Sequence, residues 1–208
     1  QTRAEFQALM EGPTPPRVLG TAQVYQTLQS NRSGDEFADP YVVPLTATVP
    51  TLEEMTKAAL NILDDDPDGL FLMIEGGAVD WASHGNNSGR MIEEQIDFDN
   101  AAQAVLDWVE ANSSWGETLL VVTGDHETGF LTGPGSDPLW MPIVSNGAGN
   151  LPGMEWHSGD HTNSLIPLFA KGDAARMLKK YADEYDPVRG KYVDNTELAD
   201  VLFWTLDP

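Results

Sequence analysis

The 208-residue chain contains no cysteine, which excludes disulfides and thiolate metal sites. Any bound metal must therefore be held by carboxylate and imidazole groups. Basic residues are scarce, 11 Lys and Arg against 33 Asp and Glu, giving a formal net charge of −22. Such a surface repels phosphate backbones and anionic lipid, so neither nucleic acid nor a membrane is an expected partner. It suits a protein of a salty or extracellular medium, and equally one that relies on charge for solubility. No apolar run of about 18 residues exists, so no membrane-spanning helix is expected. The first residues show no basic-then-apolar signal segment, and there is no internal repeat or low-complexity tract. Gln1 is not a translation start, so the chain reads as a portion of something longer. What remains is globular: 41% hydrophobic and 9% aromatic residues suffice for one substantial core at this length.

The most informative stretch runs from Gly69 to Asn87, GLFLMIEGGAVDWASHGNN. Five consecutive apolar residues, Leu70 to Ile74, fit a strand buried on both faces, closed by Glu75 and the Gly76-Gly77 pair. Asp80 and His84 follow, four residues apart, a spacing that puts both side chains on one side of a helical turn and suits a metal. On this stretch alone a solvated polar loop is an equal alternative.

Elsewhere the pattern is largely helical. Thr2 to Met10 reads as a short helix ended by the prolines from Pro13, and Val18 to Gly20 as a short strand. Ser30 to Pro50 reads as a long surface connection. Thr51-Leu52-Glu53-Glu54 is a capping box opening a helix whose apolar face is Leu52, Met55, Ala59, Leu60 and Leu63. Arg90 to Ala111 is an amphipathic helix with Ile92, Ile96, Ala102, Val105, Leu106 and Val109 inward and the acidic residues mainly elsewhere. Arg90 itself is read as a salt-bridge partner. Thr118 to Thr123 is a second apolar strand that ends in Gly124-Asp125-His126. Strand, helix and strand form a βαβ unit, so the 70–74 and 118–123 strands are expected to be parallel neighbours with Glu75 and Asp125-His126 at one sheet edge. Met141 to Val144 is at most a short strand. Leu165 to Ala170 is a strand placed at an edge by Pro167, and Asp173 to Tyr185 is helical. Asn195 to Leu206 is a closing helix capped by Asn195 or Thr196.

Three of the four histidines, His84, His126 and His161, lie within four residues of an aspartate in a glycine-rich setting. A catalytic zinc takes three protein ligands and leaves a position for water. Asp80, His84 and His161 can supply one such set, and Asp125 with His126 part of a second. Two metals about 4 Å apart are a recurrent device for stabilising both oxygens of a phosphoryl transfer.

The chain resembles the alkaline phosphatases from about Pro16 to its end. The resemblance is carried by VPTLEEMTKAAL at Val49, FLMIEGGAVDWASHGN at Phe71, VVTGDHETG at Val121, GDHTNSLIPLFAKG at Gly159 and DNTELADVLF at Asp194. It implies a three-layer α/β sandwich with a largely parallel central sheet flanked by helices, of which residues 1–208 form the C-terminal portion of a single domain. It further implies Glu75 as a magnesium ligand, Asp80, His84 and His161 as ligands of a first zinc, and Asp125 and His126 as ligands of a second. Phosphate monoesters would be the substrates, a homodimer the assembly, and the periplasm or the extracellular space the location. Trp81 receives no chemical role.

In the family's pattern the nucleophilic serine, a shared metal-binding aspartate, a magnesium-binding hydroxyl residue and the phosphate-gripping arginine all precede the first matching block. Nothing in Gln1 to Pro16 supplies them, so no catalytic nucleophile is assigned in this chain, and the N-terminal half would be a required partner. Ser88, Ser113 and Ser158 lie outside any nucleophile motif. His157 and Trp156 flank the GDHT block and are read as site rim or as merely exposed. Related phosphodiesterases and sulfatases are rival readings, as is a metal-binding fragment without activity of its own.

Overall fold

The computed structural model describes residues 1–137 and 139–206. In chain order the elements are α1 (Arg3–Gln7), α2 (Leu52–Leu63), α3 (Ala78–His84), α4 (Ser88–Asn112), β1 (Leu120–Val122), β2 (Glu127–Thr128), β3 (His161–Thr162), β4 (Phe169–Lys171), α5 (Ala175–Tyr181), β5 (Glu184–Asp186), β6 (Gly190–Tyr192) and α6 (Asn195–Leu206). They fall into two compact units, one of residues 1–106 and 128–161, the other of residues 107–127 and 162–208. Among the described residues no helix is long and apolar enough to cross a membrane.

In the first unit, two capping boxes set the start of the helices. Thr2 and Glu5 cap α1, and Thr51 and Glu54 cap α2, where the Glu54 N–H donates to Thr51 Oγ1 (3.1 Å) and the Thr51 N–H to Glu54 Oε2 (3.0 Å). Glu54 also ties the two helices together. It accepts Arg3 Nε at 2.9 and 3.0 Å, Arg3 Nη2 at 2.8 Å and Gln7 Nε2 at 2.7 Å. These charge-assisted bonds hold its carboxyl below the usual range despite partial burial. Phe6, Val49, Ala58, Leu60, Ala82, Ala101 and Ala104 form the apolar core of this unit.

The stretch from Ser30 to Pro50 is the expected surface connection, irregular and mostly exposed, and its inner side also covers buried polar groups. Gln29 exchanges two hydrogen bonds with Thr46, at 2.7 and 3.1 Å. The Arg32 guanidinium donates to the carbonyls of Gln29, Val43 and Pro44 and pairs with Glu93 at 2.7 Å, both side chains being 4% exposed. The Tyr41 N–H adds a 2.6 Å bond to Glu93. The charged residues at the start of α4 are thus not on a solvated face: Arg90, Glu93 and Glu94 are all buried, with Arg90 3.8 Å from Glu93. Helical periodicity assigns charge to the outside, and here the irregular 29–46 segment covers that side with donors of its own.

Leu70 to Ile74 forms no strand. The segment alternates between half-buried and exposed, with Phe71 60% and Met73 79% exposed. No strand among the described residues pairs with it, so the expected parallel neighbour relation with 118–123 is not present. An apolar run specifies a strand only where a second backbone accepts its ladder. Val18 to Gly20 likewise forms no strand, and α1 ends at Gln7 rather than Met10.

In the second unit β1 pairs antiparallel with β4, matching Leu120 with Lys171, Val121 with Ala170 and Val122 with Phe169. The expected 173–185 helix stops at Tyr181, and β5 and β6 form an antiparallel hairpin, with Asp186 opposite Gly190. Asp186 precedes Pro187, which disfavours helix, and its Oδ1 accepts the N–H groups of Val188 (2.8 Å) and Arg189 (2.6 Å) to close the turn. Helix α6 has the expected bounds but a different cap: Asp194 accepts from the Thr196 N–H (2.9 Å) while its own N–H donates to Glu197 Oε2 (2.8 Å). Val109, Leu178 and Val201 are buried in this unit.

Candidate metal centre

The glycines at 76 and 77 deliver the chain into α3. A Cβ on Gly76 would lie 2.9 Å from the Phe98 ring of α4, so only glycine allows this approach. Helix α3 then carries Asp80 in its first turn and His84 at its end, on the same side as their spacing predicts. Glu75 lies exposed in the segment before the helix, and Trp81 is half exposed.

His161, the first residue of β3, reaches the same place at the end of a loop that is locked to α3. Gly129, at φ +89, donates its N–H to the Asp160 carbonyl (3.0 Å), and its own carbonyl accepts the N–H groups of His157 (3.1 Å) and Ser158 (3.0 Å). A Cβ at Gly129 would stand 2.5 Å from the Trp156 ring and 3.2 Å from the Ser83 carbonyl. Asn86, also in the left-handed region with φ 54, directs its amide NH₂ to the carbonyls of Ser158 (2.8 Å) and Ser83 (3.0 Å).

This framework brings three candidate ligand atoms together. His84 Nε2 and His161 Nε2 each lie 3.4 Å from Asp80 Oδ1 and 3.0 Å from one another. Ligand atoms bound at about 2.0–2.1 Å to a tetrahedral zinc are about 3.4 Å apart, which two edges of the triangle match while the His84–His161 edge is shorter. Orientation points the same way. His84 Nδ1 lies 2.6 Å from the Gly159 carbonyl, an acceptor, so Nδ1 donates there and Nε2 is the ring nitrogen left facing the carboxylate oxygen at 3.4 Å.

Asp125 and His126 belong to the second unit, on the bend after β1. The Asp125 side chain is 89% exposed; its Oδ2 lies 3.3 Å from His126 Nε2 and its Oδ1 accepts the His126 N–H at 3.1 Å. His157 is exposed, with Nε2 2.7 Å from the buried Thr132 hydroxyl. Ser88 Oγ accepts the Trp156 indole N–H (2.8 Å), Ser113 Oγ meets Thr118 Oγ1 (2.9 Å) and Ser158 Oγ accepts the Asp160 N–H (2.9 Å), so each serine has a structural hydrogen bond.

The family model for alkaline phosphatase matches residues 28–154, more than half of the chain. The chain belongs to the alkaline phosphatase family. Alkaline phosphatase H of Pseudomonas aeruginosa is 30% identical over 190 residues, 84% of this chain and 37% of that protein. The alkaline phosphatase of Escherichia coli is 38% identical over 149 residues, 67% of this chain and 30% of that protein. The crystal structure of a cold-active alkaline phosphatase from Shewanella sp. superposes with a TM-score of 0.59 at 22% identity, over 81% of this chain and 53% of that one. That superposition supports an alkaline-phosphatase-like fold. The chain spans roughly a third of the length of these two curated relatives.

Sequence reasoning missed Gly129 and Thr128, although both stand inside the VVTGDHETG block. Their partners, Trp156 and Asp80, are 27 and 48 residues away, beyond any local pattern.

Proposed function

We propose that this chain supplies the C-terminal metal ligands of an enzyme that hydrolyses phosphate monoesters at two zinc ions and one magnesium ion. The observation that carries the reading is the Asp80, His84 and His161 triangle, in which both Nε2 atoms converge on one carboxylate oxygen at distances that suit a zinc. In this reading Asp125 and His126 contribute to a second zinc and Glu75 to the magnesium. Such ions, when bound, supply Lewis acidity toward phosphate oxygens and lower the pKa of an attached water. The chain's own residues prepare for this. The Gly159 carbonyl orients the His84 ring, the Gly129 framework fixes the loop leading to His161, and Asp80 supplies a carboxylate oxygen between the two imidazoles.

The attack on phosphorus, through a phosphoserine, requires a serine and an arginine that the family resemblance assigns to sequence outside these 208 residues. The structural hydrogen bonds of Ser88, Ser113 and Ser158 support leaving them without that role. A homodimer, a periplasmic or extracellular location and the three-layer parallel architecture belong to the same proposal, for the complete protein.

Zinc analysis after gel filtration, with p-nitrophenyl phosphate, its bis-ester and a sulfate ester as substrates, tests the reading. The 208-residue chain should retain one zinc tightly and turn over nothing, while a longer protein containing it should prefer the monoester. A preference for diester or sulfate, or two tight zincs with turnover from the 208 residues alone, would overturn it.

A further inference from the structure

We propose that Thr128 is a positioning residue that fixes the carboxylate of Asp80 for metal binding, a role that rests on the metal-centre reading above. Asp80 Oδ1 is the atom that stands 3.4 Å from both imidazole nitrogens, and Thr128 Oγ1 lies 2.5 Å from that same oxygen. The hydroxyl must be the donor, since the carboxylate only accepts, and the bond is charge-assisted.

Its effect follows from the freedom it removes. The terminal torsion of an aspartate is broad and nearly two-fold, so an unheld Asp80 would exchange its two oxygens and sample orientations off the His84–His161 axis. Threonine is stiff at χ1, and its backbone here is anchored by its neighbour Gly129, which exchanges hydrogen bonds with Asp160, His157 and Ser158. The segment that bonds Asp80 is therefore the segment that holds the loop carrying His161. One short stretch sets two of the three ligands, Asp80 through the Thr128 hydroxyl and His161 through the Gly129 backbone. Partners of this kind typically change metal affinity by about 10–100-fold when removed.

The test is zinc affinity, measured by competition with a chromophoric chelator, alongside the melting temperature of the metal-free protein. Thr128→Val keeps shape and removes the hydroxyl, Thr128→Ala removes it without overpacking, and Thr128→Ser restores it. The expected result is zinc affinity lowered about 10–100-fold in Val and Ala and within about three-fold of the parent in Ser, with metal-free melting temperatures alike. Undiminished affinity in Val and Ala, or a Ser variant as impaired as Val, would overturn the positioning role while leaving the metal centre intact. A parent protein that binds no zinc, or one whose affinity is unchanged by Asp80→Ala, would overturn the metal centre and this role with it.

Discussion

The candidate ligands carried by the two units are built in opposite ways. Asp80, His84 and His161 come from residues up to 81 positions apart and are fixed by a helix, a glycine-locked loop and hydrogen bonds to His84 and Asp80 from outside the cluster. Asp125 and His126 are sequence neighbours on a bend, with the aspartate 89% exposed and bonded to the adjacent histidine. Adjacency makes a pair without effort, whereas a preorganised site needs long-range scaffolding. The contrast predicts that the first cluster binds metal on its own and that the second does not.

The strongest way to break the contrast is to attack the scaffold. Gly129→Val places a β-branched side chain at φ +89 and drives its Cβ into the Trp156 ring, which a Cβ would approach to 2.5 Å. The strain and overpacking should cost about 3–5 kcal/mol by denaturant unfolding, and tight zinc binding should disappear. The next test compares the clusters directly. Asp80→Ala should lower zinc affinity on the order of 10³-fold, since about 10–16 kcal/mol of zinc binding is shared by only a few ligands, while Asp125→Ala should change the tight site by less than about three-fold. Chelator competition reads both, and equal losses would erase the distinction.

Acidity offers a gentler lever on the first unit. Burial, with Asp97 nearby, pushes Glu94 up to about 7 from an ordinary 4.5. Asp97 is raised as well, first by burial, although it accepts the Leu52 N–H at 3.0 Å. Between pH 4.5 and about 7 the folded chain keeps a proton that the unfolded chain has released. Stability is therefore greatest below this window and falls as pH rises through it, by on the order of 3 kcal/mol for Glu94. Glu94→Gln in metal-free protein should flatten the profile of melting temperature against pH, and an unchanged slope would remove Glu94 as its source. The smallest effect expected is at the α2 cap, where Thr51→Ala should cost about 1 kcal/mol of stability and leave zinc affinity untouched.

Much of this was readable from local pattern. The Thr51–Glu54 capping box gave the start of α2, periodicity gave α4 and α6, and the i, i+4 spacing gave the pairing of Asp80 with His84. These features depend on residues within one or two turns. What local pattern could not give depends on distant partners. Leu70 to Ile74 has the composition of a strand but no ladder among the described residues. Glu93 and Glu94 fall off the apolar stripe of α4, yet both are buried, and Arg32 and Tyr41, more than 50 residues away, bond Glu93. Asp186-Pro187 did hold a turn signal, which the helical run before it outweighed.

The exposed apolar residues of the 70–74 segment bear on behaviour in concentrated solution. An apolar segment that joins no ladder among the described residues, presenting Phe71 and Met73 to solvent without a charge among its five residues, is a template for any second strand that arrives. The 208-residue chain should therefore self-associate through this edge as concentration rises, despite a net charge of −22 that opposes it. A lysine in place of Met73 should restore a monodisperse profile in light scattering without altering zinc affinity, because gatekeeping charge acts on the encounter between chains and not on the metal ligands.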